Sequence, residues 1–176
     1  WIVRGGVAAA LAAAACLFPG CDIDSARWGT GVSSRVTISD DGDTSIHVWR
    51  PGYELEVESA GAATFTEDES DVATLAPGGR FRLEETSGGG LHVYTVTADT
   101  SGALTRSFTL DGKDVPLDDN GRAWVAGALP RMFTESGFDA KARVARLLAA
   151  GGPARVLQEV DRGGTDHGKA EYLGEL

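Results

Sequence analysis

The fold is decided by Ser45-Ile46-His47-Val48-Trp49-Arg50-Pro51-Gly52-Tyr53-Glu54-Leu55-Glu56-Val57-Glu58. Tyr53, Leu55 and Val57 alternate with Glu54, Glu56 and Glu58, the period of two that belongs to a strand with one buried and one wet face. Pro51-Gly52 separates this run from the alternating residues 45–50, and a connection that short joins only antiparallel neighbours. Outward from here, similar short runs occupy residues 35–39, 62–66, 80–85, 91–98 and 104–110. Turn signals stand between them: Asp41-Gly42, Pro77-Gly78-Gly79, Gly88-Gly89-Gly90, Ser101-Gly102 and Asp111-Gly112. The pattern predicts an antiparallel, meandering β region over residues 33–118. Repeated turns also allow a β-solenoid-like stack, which differs in having parallel pairs.

After Asp118 the period becomes helical, so the fold class expected is α+β with three or four short helices over residues 119–176. Trp124, Val125, Ala128, Leu129, Met132 and Phe133 form one apolar stripe that ends near Gly137, with Trp124 expected in the core. Pro130 lies inside it and predicts a kink or a split. Asp139 is the expected N-cap of a second helix, with Val144, Leu147 and Leu148 inward and Gly151-Gly152 as terminator. Pro153 starts a third, with Val156, Leu157 and Val160 inward. Thr165 or Asp166 caps a fourth, with Ala170 and Leu173 on its buried side. The pattern is unfinished at Leu176, which leaves room for further helical hairpins.

Residues 1–21 read as a signal: Arg4 precedes the Ala-rich run Val7 to Leu17, a positive n-region before an apolar h-region too short to span a bilayer. Trp at position 1 predicts that an initiator Met and part of the n-region precede it. Both cysteines fall here, Ala13-Ala14-Ala15-Cys16 and Phe18-Pro19-Gly20-Cys21. The segment resembles a bacterial lipoprotein signal, which makes Cys21 and Cys16 the candidate lipid-attachment residues; ordinary signal cleavage with incidental cysteines is the plainer alternative. Either route predicts an extracytoplasmic location, periplasm or outer surface, touching the membrane only through a lipid anchor. Residues 22–32, including Trp28, read as a tether.

Residues 22–120 hold 7 basic and 19 acidic side chains, net −12, whereas residues 121–176 hold 8 and 7, net +1. A chain of formal charge −10 repels phosphate backbones, so no nucleic-acid partner is expected.

Leu75-Ala76-Pro77-Gly78-Gly79-Arg80-Phe81, Leu83-Glu84-Glu85, Val115-Pro116-Leu117-Asp118, Trp124, Leu129-Pro130 and Arg143-Val144-Ala145-Arg146-Leu147-Leu148 resemble a group of uncharacterised bacterial envelope proteins. Some relatives in that group accompany membrane-embedded metallopeptidase sensors of the beta-lactam-sensing type. The resemblance runs from Tyr53 to the end. It implies an extracytoplasmic β region joined to helical hairpins, with no established reaction; no metallopeptidase zinc motif is present, so the sensor's catalysis does not carry over.

Few residues offer chemistry. His47, His92 and His167 are far apart, and His167 with Glu171 has helical spacing but Gly168 between and no third ligand, so no metal or cofactor is expected. Asp40-Asp41-Gly42-Asp43 is rich in oxygen ligands but lacks the register of a calcium loop and reads as a hairpin turn. Glu67-Asp68-Glu69-Ser70-Asp71 reads as a solvated acidic loop. Gly88-Gly89-Gly90 lacks the Lys-Ser/Thr of a phosphate loop, no Gly-x-Ser-x-Gly elbow occurs, and Glu84 and Glu85 point to opposite strand faces. Trp49 and Tyr53, flanking Pro51-Gly52, are the candidate partner-binding aromatics; packing under their own turn is the plainer reading. The expected function is a non-enzymatic envelope module that binds a protein partner in a regulatory or stress system. A structural or adhesin-like surface protein, or a hydrolase with a site assembled from distant residues, are the alternatives. An open apolar groove beside the helices favours the first, and a deep pocket of His and carboxylates the last.

Overall fold

The computed structural model describes residues 23–24, 33–40, 42–163 and 165–176, so Cys16, Cys21 and Trp28 lie outside the described residues. The fold is α+β. Strands β1 (Ile23–Asp24), β2 (Ser33–Ile38), β3 (Thr44–Arg50), β4 (Tyr53–Ala60), β5 (Ala63–Phe65), β6 (Val72–Leu75), β7 (Arg80–Ser87), β8 (Gly90–Ala98), β9 (Leu104–Leu110) and β10 (Lys113–Val115) precede helices α1 (Asp119–Ser136), α2 (Ala140–Arg162) and α3 (Asp166–Gly174). The main sheet runs β1-β2-β3-β4-β7-β8-β9-β10, and β5 and β6 form a separate hairpin between β4 and β7. All pairings among the described strands are antiparallel, which removes the parallel β-solenoid alternative.

The alternation sets the faces. Val48 pairs with Leu55 and Ile46 with Val57, and all four are buried on the inner face, while Glu54, Glu56 and Glu58 are exposed on the outer one. The inner face meets α1, whose Val125, Leu129, Met132 and Phe133 are buried against Phe81, Leu83, Tyr94 and Val96. Helices α2 and α3 pack on α1 and on each other, closing a second small core of Val144, Val156, Val160 and Tyr172.

Local chemistry explains the boundaries. The Asp118 carboxylate accepts from Gly121 N at 3.0 Å and caps α1. Gly137, at φ 71°, ends it in the left-handed conformation. Pro130 does not split α1. The expected break at Gly151-Gly152 is present: both residues leave helical geometry inside α2, so its two halves are the second and third helices of the sequence reading.

Several side chains depart from expectation. Asp139 precedes α2 at φ 54° and makes no side-chain cap bond. Leu157 is 48% exposed because Glu159, drawn in by Arg143, takes the inward position beside Val156 and Val160. In α3 the buried residues are Gly168 and Tyr172, while Ala170 and Leu173 face solvent. A Cβ on Gly168 would stand 2.0 Å from the Thr134 carbonyl oxygen, so the helix rests on α1 through this glycine and Tyr172 follows one turn later. Trp124 is half-buried, stacked on His92 with ring centroids 5.0 Å apart, and lies at the margin of the core.

Candidate partner-binding groove

Sequence reasoning singles out Trp49 and Tyr53, and the structure places them on opposite faces of the sheet. Trp49 pairs with Glu54 on the outer face and is 41% exposed. Tyr53 faces inward under its own turn, with the Arg50 guanidinium 3.9 Å above its ring. The two form no common patch. Tyr53 belongs to a charged layer between sheet and α1, in which Arg131 donates to Glu85 at 2.8 Å and Arg50 to Glu135 at 2.5 Å. Burial, with the nearby Glu135 and Glu85 charges, pushes the Tyr53 phenol above its ordinary range. Glu84 and Glu85 do point apart: Glu84 pairs with Arg82 on the outer face while Glu85 is buried.

The other sequence candidates resolve into structure. The Ser39–Asp43 turn closes through Ser39 N to Asp43 O at 2.9 Å, and one Asp43 carboxylate oxygen accepts from Gly61 N at 2.7 Å. His167 Nδ1 is 3.9 Å from Glu171, and no group of three metal-ligating residues exists among the described residues. Within the acidic loop, Thr66 and Ser70 hydrogen bonds hold the Asp68 carboxyl below its ordinary value. Glu69 adopts φ 57° and reaches out of the loop to Arg143, which donates to it at 2.7 Å, to Glu159 at 2.9 Å and to the Tyr172 hydroxyl at 2.6 Å. Asp71 binds Arg106 at 2.9 Å and accepts from the Tyr94 hydroxyl. These clusters consume their own charges and hold elements together.

An apolar groove sits elsewhere, where the β2–β3 hairpin, the β4–β5 bend and the end of α1 meet. Its cavity is about 230 Å³. Ile46, Val57 and Phe81 of the sheet form the floor, and Phe65, Met132 and Phe138 form the wall. Phe65 is held upright by edge-to-face contacts with Phe81 at 5.5 Å and Phe133 at 5.0 Å. The gap stays open because the bend is built from Ala62 and Ala63, too small to fill it, and from Ser59, whose hydroxyl turns to the Gly61 carbonyl at 2.8 Å. Ile38 stands at the rim, 58% exposed.

The lining contains no charged side chain, and its polar members are the hydroxyls of Thr44 and Ser59. In sequence, Asp40 and Asp43 belong to the turn that carries Ile38 and Gly42, and Asp139 follows Phe138. Burial raises the Asp139 carboxyl above its ordinary value, against the opposing pull of Arg146 at 3.8 Å. Sequence reasoning missed this groove. The available signals were a large apolar residue directly before a turn, at Ile38, and the small pair Ala62-Ala63 after Gly61.

Comparison with family models, curated proteins and solved structures finds no match to this chain.

Proposed function

We propose that this chain is a non-enzymatic, extracytoplasmic module of a bacterial cell envelope that binds a protein partner, and that the groove between β2–β3, β5 and α1 receives it. The carrying observation is the groove itself: apolar floor and wall, open mouth and an exposed Ile38 at the rim. A large apolar side chain left in water at the mouth of an apolar cavity gains by being covered. The size narrows the occupant. At about 230 Å³ the cavity exceeds the ~150 Å³ that holds benzene and falls short of the ~300–1,000 Å³ of sites for drug-sized ligands. That is room for one or two large side chains, the dimension of an interface anchor. The leader-like residues 1–21 and the resemblance to envelope proteins support the location and a regulatory or stress setting.

The test fills the groove. Ala62 lines it yet is exposed, so Ala62→Phe closes the cavity without entering the core. Affinity capture from envelope extract with the wild-type chain recovers a partner that Ala62→Phe fails to recover, with both proteins showing the same urea midpoint. Equal recovery by both excludes the groove as the docking site.

A further inference from the structure

We infer that Leu17 and Phe18 of this same chain occupy the groove for as long as they remain attached to it, so that their removal opens the site to a partner. This rests on the reading of the groove as a partner site and adds to it the regulation of that site. Strand β1 gives the direction. Ile23 pairs with Val36 and Asp24 with Arg35, antiparallel, so the end at which the chain enters β1 is the end nearer Ile38. Ile38 lies two residues beyond Val36, about 7 Å along β2, and forms the exposed rim of the groove. The large apolar residues next ahead of β1 are Leu17 and Phe18, and Phe18 stands five residues before Ile23. Five residues span at most about 17 Å, so Phe18 reaches Ile38 with roughly 10 Å to spare.

The chemistry of the segment matches that of the cavity. No residue from Gly5 to Cys21 is charged and the lining holds no charged side chain, so docking strands no charge on either side. Pro19-Gly20 stands between the pair and β1, a turn signal that lets the segment double back onto the inner face of the sheet. A cavity of about 230 Å³ is larger than the ~150 Å³ that holds benzene, which leaves room for the Phe18 ring. The same contact takes Ile38 out of water. A short tether supplies an effective concentration of order millimolar, so a weak intrinsic affinity suffices to fill the groove. The two candidate cysteines then differ in consequence. Hydrolysis of the Gly20–Cys21 peptide bond by a signal peptidase releases the pair and opens the groove, whereas hydrolysis ahead of Cys16 leaves both residues in place.

The experiment uses the full chain and Met132, the one methionine in the sequence, whose side chain lines the groove. Its ¹³C-methyl resonance is compared between the wild-type chain and the double variant Leu17→Ser with Phe18→Ser, and each is titrated with the neutral peptide acetyl-Leu-Phe-Pro-Gly-amide. The double variant is expected to shift the Met132 signal, and the peptide is expected to return it towards the wild-type position. The wild-type chain, already filled, is expected to take up the peptide at least about tenfold more weakly. Adding Ala62→Phe to the double variant is expected to abolish peptide uptake. Equal uptake by wild type and double variant shows a groove that accepts an apolar anchor but is not filled by the chain's own, which overturns the inference and leaves the groove reading intact. If the double variant leaves the Met132 signal unmoved and the peptide moves it in neither chain, the groove reading fails together with the inference.

Discussion

Replacing Arg143 by Met tests what ties the acidic loop to the helices. The Arg143 side chain is 4% exposed and donates to Glu69, Glu159 and Tyr172. Methionine keeps much of the apolar stem and removes the charge. Glu159, 6% exposed at its side chain, then retains Arg162 at 3.3 Å, a residue itself 59% exposed. Glu69 retains Arg146 at 3.4 Å, which is 47% exposed. Removing one member of a buried ion pair and stranding the other costs about 3–5 kcal/mol, against about 0–1 kcal/mol for an exposed pair. With a urea slope of about 2 kcal/mol per molar, a loss of about 4 kcal/mol lowers the midpoint by about 2 M. Arg143→Met with Glu159→Leu should recover at least half of the loss, because the second change removes the stranded carboxylate. A midpoint for Arg143→Met within about 0.5 M of wild type refutes the reasoning, since it places the cluster among solvated pairs.

Gly168→Ala should cost about 1–3 kcal/mol or more by forcing α3 away from the Thr134 carbonyl, read as a lowered melting midpoint, whereas Gly174→Ala, with open space around it, should change little. Trp124→Ala should cost about 2–3 kcal/mol, below the ~3–5 kcal/mol of a fully buried indole. Trp124→Phe should cost under about 1 kcal/mol, because the indole N–H is buried without a hydrogen-bond partner among the described residues; a larger loss in urea melts would show that this N–H is satisfied. Burial pushes Tyr172 up to about 12 against 10 in the unfolded chain, so its contribution is complete below pH 10 and is lost as pH rises towards 12. Urea midpoints at pH 9 and pH 11 should therefore fall more steeply for wild type than for Tyr172→Phe, and identical slopes would show that the phenol titrates normally.

The β region was legible because a period-two pattern reports its own burial: Glu54, Glu56 and Glu58 must face water wherever the strand lies. Residues 62–66 were legible as a strand but not as part of a separate hairpin, since nothing in Ala63-Thr64-Phe65 distinguishes a partner in β6 from one in the main sheet. Val72–Leu75 escaped notice because the loop before it reads as solvent-facing. The inward positions of Arg143 and Glu159 were illegible for a physical reason. A charge can be buried only if its counter-charge arrives, and Glu69 arrives from 74 residues away. The face of α3 was misassigned by ranking Leu173 above Gly168; close backbone approach favours the residue with no side chain, which a hydrophobicity pattern scores as empty. The groove is a gap among side chains, and gaps leave only indirect marks such as Ala62-Ala63.

Helix α1 lies between the larger core and the α2–α3 pair. Val125, Leu129 and Met132 are buried against the sheet, while Thr134 supports Gly168 and the Glu135 carbonyl accepts from the Thr165 hydroxyl at the start of α3. It therefore works as a party wall. If α2 and α3 lift away, the sheet keeps its cover and the larger core survives. If α1 detaches, the larger core opens and α3 loses the Thr134 and Glu135 carbonyls on which it rests. Amide exchange should be graded accordingly, with α2 and α3 exchanging through partial opening and the α1 amides waiting for global unfolding. Met132 sits in that wall with its side chain in the groove, so an occupant seated there braces the slowest-exchanging part of the molecule.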